Sequence, residues 1–427
     1  MRYNEVVKNI VILGGGFAGL RAAQDIGNEV RRRGLSNRYR VFLIDRNPNH
    51  TFTPLLYEIA TTAETLADRR KLCSLVAFPF KDLLENTEVT TLREEVTALN
   101  LSTKTINFPR QSLIFSYLLI AAGTESNLFD IPGLAEHALT LKSFDDAIRI
   151  RDTIEKAAHT DTEKLSVVIG GGGPTGVELA GEIRLWLGEL SEAGARLSDT
   201  EVLLVERSPR ILPGFPNRFV RTAEQRLKKL GVRVRTNSDI SEAREGAVSL
   251  TDGTVIPAHV LVWTGGVRTP AFLEHLPFTL NPQGRVAVTP TLAASSDGHE
   301  LHGIYVAGDN ADIRYPGSSE PVPQVAHAAT ESGKVAAKNI IREIERAEGL
   351  GNRLPLPYRP WRYPYILPVG GKYAIAKIGL FVVSGFLAWV FKGIVELAYF
   401  LSIMPVFSAL RIWFRGLRVF IKNDRLG

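Results

Sequence analysis

The chain has 427 residues, of which 45% are hydrophobic and 22% charged, a composition that fits about three folded domains and excludes wholesale disorder. Its formal net charge of +6 is uneven, because residues 353–427 hold 11 Lys and Arg against two acids, whereas the other 352 residues hold 40 against 43. A basic, aromatic tail on a near-neutral body favours a membrane surface over nucleic acid as the partner. The single cysteine, Cys73, excludes an intramolecular disulfide, a CxxC redox pair, a four-cysteine iron–sulfur site and a structural zinc knuckle.

The N-terminal region has the pattern of a strand, a glycine turn, a helix and a second strand. A β-branched run over residues 9–13 leads into Gly14, Gly16 and Gly19, a helix is predicted from near Leu20, and a strand over residues 41–44 ends on Asp45. The apolar run is too short for a signal peptide and leads straight into glycines. We therefore predict a βαβ unit at the start of the chain.

The same order of elements recurs later in the chain. A strand over residues 166–169 precedes Gly171, Gly173 and Gly176, a helix is predicted from 177 to about 195, and a strand over residues 202–205 ends on Glu206. The offset is 157 residues for each glycine and 161 for the acid. This constancy indicates an internal duplication of the βαβ unit.

Both turns have the G-x-G-x-x-G spacing, in which the glycines allow a sharp turn, close approach of a pyrophosphate and tight packing of the helix on its strand. The phosphate then lies at the positive end of the helix. A strand-end acid accepts hydrogen bonds from ribose hydroxyls and repels a 2′-phosphate, so Glu206 favours NADH, although the neighbouring Arg207 is able to meet a phosphate. A plain solvated carboxylate explains either acid equally well.

Two dinucleotide sites in one chain are typical of a flavin enzyme with a nicotinamide partner. A buried strand over residues 303–307 ends on Gly308 and Asp309, where a cofactor chain has room and a carboxylate is available. Pro323 suits the first turn of a helix that we predict to open at residues 322–324 and to run to about 344. Facing the flavin, its N-terminus would stabilise negative charge on the reduced ring.

At this point the residues match a family. The strings that carry the match are DRNPNHTFTPLLYEIA over residues 45–60, AAGT over 121–124, IPGL over 131–134, GPTGVELAGE over 173–182, WTGGV over 263–267 and VAGD over 306–309. The chain resembles the type II NADH dehydrogenases, single-subunit NADH:quinone oxidoreductases of respiratory electron transport that pump no protons. The resemblance implies noncovalent FAD on the first unit, NADH on the second and a membrane quinone as acceptor.

The resemblance also implies site residues, carried over by position. Glu178, near the nicotinamide and flavin, and Gln324, at the flavin–quinone boundary, are the expected catalytic residues. The expected FAD-binding residues are Gly14, Gly16, Phe17, Ala18, Gly19, Asp45, Arg46, Pro54, Leu55, Ala122, Gly123, Thr124, Gly308, Asp309, Gln324 and Val325. The expected NADH-binding residues are Gly171, Gly173, Pro174, Thr175, Gly176, Glu178, Glu206 and Gly265.

The sequence departs from the family pattern at two positions, Thr53 and Ala328, where the family commonly has glutamine. His327 is either a proton donor to the reduced quinone or a plain surface histidine. No HExxH motif or acidic cluster is present, and the chemistry requires no metal.

The tail predicts membrane attachment. We predict a strand-like stretch over residues 373–384, a helix over 386–403 and a second helix over 406–421, each charge-free run being shorter than the ~20 residues that span a bilayer. One face of the last helix carries Arg411, Arg415, Arg418 and Lys422, and the other carries Phe407, Leu410, Trp413, Phe414, Leu417 and Ile421. Such a helix lies in the membrane interface. Packing on the protein body or a dimer partner, and a single membrane span, are the alternatives.

The expected fold is α/β, with two Rossmann-like dinucleotide-binding domains, the second inserted in the first, and a C-terminal amphipathic helical membrane anchor. The expected boundaries are residues 1–140 and 276–350 for FAD, 141–275 for NADH and 353–427 for the anchor. We expect a peripheral, monotopic protein on the cytoplasmic face of the membrane, with no nucleic-acid partner; a homodimer is left open. An NAD(P)H reductase for another acceptor, such as a demethylated naphthoquinone or a soluble carrier, and a membrane-tethered dinucleotide sensor are the alternative functions.

Overall fold

The computed structural model describes residues 7–160, 164–193, 195 and 199–423, with the Lys422 and Asn423 side chains left out. Residues 1–6 of the predicted FAD domain, residues 424–427 of the predicted anchor and the Lys422 side chain of the predicted basic face lie outside this description. The chain divides into two compact units. Unit 1 comprises Met1–His50, Phe78–Glu125 and Arg268–Tyr363, and unit 2 comprises Thr51–Ala77, Ser126–Val267 and Pro364–Gly427.

Eleven α-helices lie in the described residues. In chain order they are α1 (Phe17–Arg32), α2 (Leu56–Ile59), α3 (Arg69–Val76), α4 (Phe80–Leu83), α5 (Leu134–His137), α6 (Phe144–His159), α7 (Pro174–Glu192), α8 (Asn217–Leu230), α9 (Ala326–Ala347), α10 (Phe386–Ile403) and α11 (Val406–Asn423). Short 3₁₀ turns occur at Thr53–Leu55, Ala271–Leu273 and Gly308–Asn310.

Unit 1 is built on a six-stranded sheet with one antiparallel edge pair. Its strands, in order across the sheet, are Ala293–Ser296, His299–Val306, Tyr117–Ile120, Lys8–Leu13, Tyr39–Asp45 and Val89–Arg93. The central strand Lys8–Leu13 pairs in parallel on both sides, and its residues 10–13 are fully buried. A strand covered on both faces reads as a continuous apolar run, which is why this segment lacks alternation. Smaller sheets pair Ala98–Asn100, Thr105–Asn107 and Ser112–Ile114, and Val286–Ala287 with Ala311–Asp312.

Unit 2 contains a five-stranded parallel sheet of the same design. Its strands, in order, are Ala138–Thr140, Val260–Trp263, Lys164–Gly170, Asp199–Val205 and Arg233–Arg235. A three-stranded antiparallel sheet holds Ile240–Arg244, Ala247–Leu250 and Val255–Pro257. Two short pairs, Asn49–Thr51 with Ala77–Pro79 and Glu125–Ser126 with Val267–Arg268, contain the residues at four of the five unit boundaries.

The C-terminal part of unit 2 is an antiparallel sheet followed by two helices. Its strands are Tyr365–Pro368, Ala374–Ile378 and Phe381–Gly385. The predicted strand-like stretch is therefore a hairpin, turned at Gly379 with φ of +58°. The predicted helix over residues 386–403 is confirmed, and the second helix continues two residues beyond its predicted end.

Three helix starts differ from the prediction. α1 begins at Phe17 and not near Leu20, and α7 begins at Pro174 and not at Val177, because the extended residues Gly16 and Gly173 directly precede these starts. α9 begins at Ala326 because Val325 is extended, which leaves Pro323 and Gln324 outside the helix. The unit boundaries fall at residues 50, 77, 125, 267 and 363, and segment 51–77 belongs to unit 2. The domain boundaries given above therefore stay predictions.

Candidate dinucleotide sites and a buried charge cluster

The first glycine turn leaves no room for side chains except at its middle glycine. A Cβ on Gly14, whose φ is +95°, would lie 2.3 Å from the carbonyl oxygen of Ala121 and 2.6 Å from the Cα of Ala122, and one on Gly19 would lie 1.8 Å from the carbonyl oxygen of Gly14. A Cβ on Gly16 would meet nothing within 4 Å. Since Gly16 is the N-cap of α1, open space adjoins the positive end of that helix.

Asp45 is fixed beside this turn. Its carboxylate accepts hydrogen bonds from the backbone N–H groups of Gly15 and Asn47, each at 2.7 Å. Removal from water raises the pKa of Asp45, and the two N–H groups oppose that shift. Arg46 is exposed and pairs with Glu125 at 3.1 Å. The strand-end acid thus braces the turn that it follows in the sequence.

His50 supports the turn from behind and was not predicted as a site residue. It is fully buried, and burial lowers its pKa to about 4, so the ring is neutral at physiological pH. Its Nδ1 lies 2.9 Å from the carbonyl oxygen of Gly15, which only accepts, so Nδ1 carries the proton and donates. The ring meets Phe17 edge-on at 5.2 Å. Only its place in the family string gave a sequence signal.

The remaining predicted residues of unit 1 gather at the same sheet edge. Asn310, which is fully buried, accepts from the N–H of Gly123 at 2.9 Å and donates to its carbonyl at 2.7 Å. Gly308 has φ of +67°, and its Cβ would lie 3.2 Å from that of Ala18. Ser332 on α9 accepts from the Gly308 N–H at 3.0 Å. Asn310 and Ser332 were not predicted, because their partners are distant in sequence.

Gln324 is exposed just before α9. Its Nε2 points to the carbonyl oxygen of Asp309 at 3.4 Å, a weak hydrogen bond that leaves the amide on the surface of unit 1. Val325 is the N-cap of α9, and Thr124, half-buried, follows Gly123. His327 is exposed, with Trp361 and Tyr363 rings at 5.7 and 5.5 Å. These positions agree with a surface location for His327.

Pro54 and Leu55 belong to unit 2, whereas the other residues predicted for FAD belong to unit 1. They form the 3₁₀ turn Thr53–Leu55, in which Pro54 is exposed and Leu55 is buried. The preceding Phe52 stacks on Tyr399 of α10, with ring centroids 5.2 Å apart. The C-terminal helix α10 therefore packs against the segment that carries these two residues.

The second glycine turn repeats the geometry of the first. A Cβ on Gly171, at φ +110°, would lie 2.5 Å from the Cα of Gly265, and one on Gly176 would lie 2.0 Å from the carbonyl oxygen of Gly171. A Cβ on Gly173 would meet nothing within 4 Å. Pro174 and Thr175, the first residues of α7, are exposed beside this space. Open space therefore adjoins the positive end of α7, as it adjoins that of α1.

Glu206 braces the second turn as Asp45 braces the first. It is buried, and its carboxylate accepts from the N–H groups of Gly172 at 2.6 Å and Ser208 at 2.7 Å. The neighbouring Arg207 side chain is 74% exposed, and its Nε lies 3.9 Å from Asp239. The guanidinium therefore projects into solvent.

A buried charge cluster in unit 2 was not predicted. Lys392 of α10 pairs with Glu58 of α2 and, at 3.0 Å, with Glu396 one turn along its own helix. The Tyr57 hydroxyl donates to Glu58 at 2.7 Å. Removal from water raises the pKa of Glu178 to about 8, with Glu58 and Glu182 adding to the shift and Lys392 opposing it. The only sequence signal was the four-residue spacing of Lys392 and Glu396 in an apolar helix.

Side chains that commonly bind metals do not cluster in the part of the chain that the structure describes. No group of three or more His, Cys, Asp or Glu side chains is placed to hold a metal ion there. Cys73 is half-buried on α3, and removal from water raises the pKa of its thiol. A thiol so placed is mostly protonated at neutral pH and is a weak nucleophile.

Known proteins are similar to this chain in sequence and in fold. The family model described as pyridine nucleotide-disulphide oxidoreductase matches residues 8–333. The type II NADH:quinone oxidoreductase Ndh of Mycobacterium tuberculosis is 30% identical, over 95% of this chain and 87% of the relative. The chain belongs to the type II NADH:quinone oxidoreductases. This confirms the resemblance drawn from its sequence motifs.

Two further comparisons extend this assignment. The demethylphylloquinone reductase NdbB of Synechocystis is 28% identical, over 88% of this chain and 86% of that relative. The solved structure of NDH2 from Plasmodium falciparum in complex with NADH covers 98% of this chain with a TM-score of 0.80, and this chain covers 99% of it. At 17% identity, that likeness bears on the fold, and it confirms the α/β architecture. Since Cys73 is the single cysteine, this member of the family has no intrachain disulfide.

Proposed function

We propose that the chain is an NADH:quinone oxidoreductase that holds FAD noncovalently at the first glycine turn and takes NADH at the second. The observation that carries the proposal is the repeated geometry of the two turns. Each has open space at its middle glycine, a helix N-terminus beside that space and an acid fixed behind the turn. Family membership favours the same pairing of cofactors.

The residues of unit 1 fit a flavin dinucleotide. The space beside Gly16 admits a pyrophosphate, whose charge the N–H groups at the start of α1 would stabilise. We expect Asp45 to contact the adenosine ribose, and Gly308 and Asp309 to contact the ribityl chain and the pyrophosphate. The remaining FAD contacts are proposed for Phe17, Ala18, Arg46, Pro54, Leu55, Ala122, Gly123, Thr124, Gln324 and Val325.

When bound, FAD accepts a hydride from NADH and passes two electrons to the acceptor. The protein's own contribution is to position the reactants and to set the charge around them. Glu178 keeps its proton at pH 7 because its pKa lies at about 8, so it brings a neutral hydrogen-bond donor to the site. Gln324, with an exposed amide next to Asp309, is proposed to meet the quinone.

NADH is the proposed nicotinamide substrate. The Glu206 carboxylate is fixed by two N–H groups, and its negative charge disfavours a 2′-phosphate. Arg207 is mostly exposed, so it does not cancel that charge at short range. Gly173, Pro174, Thr175 and Gly176 line the open start of α7 and would receive the pyrophosphate.

The C-terminal helices are proposed to bind the membrane without spanning it. Among the described residues, α10 is the one helix whose length and composition suit a span. One face of α10 nevertheless packs on unit 2 through Lys392, Glu396 and Phe400, while its other face exposes Leu387, Ile394 and Val395. A helix docked in this way suits the interface, with its exposed apolar face in the acyl chains.

α11 presents a mixed outer face. Phe407 and Phe414 are exposed, and so are Arg411, Arg415 and Arg418, so an apolar strip lies beside a basic one. The predicted apolar face is divided, because Trp413 turns inward and donates to the carbonyl of Gly393 on α10 at 2.8 Å. Exposed cations next to exposed aromatics favour an anionic bilayer surface. We propose the cytoplasmic face, which meets the NADH pool.

A second candidate for the quinone is indicated by one relative and by Ala328. One relative, 28% identical to this chain, is named a demethylphylloquinone reductase. Ala328, where the family commonly has glutamine, is buried and offers the quinone no hydrogen bond. A demethylated naphthoquinone is therefore the alternative acceptor.

A steady-state panel tests the proposed function. NADH oxidation by the flavin-loaded enzyme would be measured with ubiquinone, menaquinone and demethylated naphthoquinone analogues, and repeated with NADPH. We expect quinone-dependent oxidation of NADH that exceeds oxidation of NADPH. Oxidation supported by ferricyanide but by none of the quinones would overturn the proposal.

A further inference from the structure

The string GPTGVELAGE contains two residues that the dinucleotide site does not use. Gly181 and Glu182 lie on α7, more than one turn beyond the glycines, and both are buried. They face the turn between the strands Tyr365–Pro368 and Ala374–Ile378, more than 180 residues away in the sequence. A Cβ on Gly181 would lie 2.8 Å from the backbone nitrogen of Gly370, so only glycine permits this approach.

Two buried side chains of opposite charge, one from α7 and one from α8, hydrogen-bond to the backbone of this turn. The Glu182 carboxylate on α7 accepts from the N–H of Gly371 at 3.0 Å. The Arg226 guanidinium on α8 donates to the carbonyl oxygens of Val369 at 3.0 Å and Gly370 at 2.7 Å. Anion meets N–H and cation meets C=O, so each charge is matched to the peptide dipole that it touches.

Arg226 is also packed against the strand that leaves the turn. Its guanidinium lies over the Tyr373 ring, 4.5 Å from the ring centroid. Glu182 and Arg226 are 1% and 4% exposed, respectively. A buried charge is costly in free energy when it lacks a partner. Moving the turn would take these backbone partners away from Glu182 and Arg226, so the two residues favour one placement of the turn.

This turn leads into the strand on which α10 packs. Ala374 and Ala376, on the strand after the turn, pack against Ala388 of α10. One turn further along α10, Lys392 reaches Glu58. Glu178 stands one turn before Glu182 on α7, and α7 packs against α2, the helix that carries Glu58. A single helix, α7, therefore begins at the dinucleotide turn and also holds the turn that supports α10.

We propose that Glu182 and Arg226 are positioning residues for quinone reduction: by clamping the Val369–Gly371 turn they hold α10, the helix proposed to lie at the membrane from which the quinone comes, and hence keep Lys392 in register with Glu58. Neither residue touches a reacting atom. The inference rests on the proposed function, since it assigns the clamp an effect on the acceptor half of the reaction. It predicts that the two halves respond differently when the clamp is weakened.

Four clamp variants test the proposal: Glu182→Ala, Glu182→Gln, Arg226→Met and Arg226→Lys. KM and kcat would be measured for NADH with ferricyanide and for a short-chain quinone with saturating NADH. We expect Glu182→Ala and Arg226→Met to raise the quinone KM by about tenfold, the equivalent of one charge-assisted hydrogen bond, with the NADH KM within about twofold of wild type. Glu182→Gln keeps an acceptor oxygen and should restore most of the loss, as should Arg226→Lys in part.

Ile183→Ala is the matched control. Ile183 is fully buried on α7 beside Glu182, and its side chain carries no polar group, so its truncation lowers stability without removing a hydrogen bond from the turn. The clamp by Glu182 and Arg226 is supported if the quinone KM is normal in Ile183→Ala and raised in Glu182→Ala, when the Tm values of the two variants are the same. Equal changes in both variants, or equal changes in the NADH and quinone KM values, would overturn it. Failure of the wild-type enzyme to reduce any quinone would instead overturn the proposed function.

Discussion

The two glycine turns share one geometry but are followed by different helices. In unit 1, α1 is packed along its length against α9, so closely that a Cβ on Gly333 would lie 2.2 Å from the carbonyl oxygen of Ala18. In unit 2, α7 carries the carboxylates Glu178 and Glu182 toward the C-terminal sheet and α10. The first turn thus sits in a closed scaffold suited to a resident cofactor. The second turn adjoins a helix that reaches the C-terminal sheet, which in turn packs against α10.

The largest expected effect is on the resident cofactor. In Gly19→Val, the new side chain would collide with the carbonyl oxygen of Gly14, only 1.8 Å from the ideal Cβ, so α1 cannot close on its turn. We expect purified protein with almost no flavin, measured by absorbance after acid release. Gly188→Ala, a change in open space on α7, is the control and should keep full flavin content. Full flavin content in Gly19→Val would contradict the assignment of the first turn.

The matching change in unit 2 should separate the sites. Gly176→Val places a side chain 2.0 Å from the carbonyl oxygen of Gly171 and displaces the start of α7. We expect normal flavin content and a loss of kcat/KM for NADH of about 100-fold, the usual cost of misplacing a substrate by about 1 Å. Rapid-mixing flavin reduction is the measurement. If Gly176→Val lost flavin instead, the division of labour between the turns would be wrong.

A smaller effect is expected at the membrane. Leu387→Asp puts a charge on the outer face of α10, where the leucine is 65% exposed, without touching Lys392 or Glu396. We expect binding to anionic vesicles to weaken about thirtyfold in a sedimentation assay, given the cost of an acid among acyl chains. NADH:ferricyanide activity should not change. Deleting α10 would be a poorer test, because it leaves the buried Glu58 without its lysine partner.

The smallest expected effect is a change in pH dependence. Glu178 has a raised pKa of about 8, set by removal from water and by Glu58 and Glu182 against Lys392. Because the neutral form dominates below that value, turnover should fall a few-fold between pH 7 and pH 9 as the proton is lost. Glu178→Gln, which stays neutral, should show no inflection in this range. An unchanged pH profile in Glu178→Gln would remove Glu178 from the catalytic set.

The sequence predicted local features well. Both βαβ units and the helix over residues 386–403 follow from runs of apolar residues and glycine spacing, which need no long-range information. The contacts that complete the sites could not be predicted in this way. Asn310 meets Gly123 across 187 positions and Lys392 meets Glu58 across 334, so no periodicity links them.

Helix starts show a second limit of sequence reasoning. Pro323 suits a first helical turn, yet Val325 is extended and α9 begins only at Ala326. Because Val325 has an extended backbone and caps α9, Pro323, two residues earlier, lies outside the helix. Gln324 is consequently a loop residue, and its amide position depends on tertiary packing.

The central claim is that one chain carries a hydride from NADH to a resident flavin and electrons onward to a quinone. An anaerobic titration tests it most directly: the enzyme is first mixed with one equivalent of NADH and then with one equivalent of quinone, while flavin absorbance is followed. We predict that NADH bleaches the oxidised flavin spectrum and that the quinone restores it, with one quinol formed per NADH consumed. A flavin that NADH leaves oxidised, or that stays bleached when quinone is added, would contradict the account.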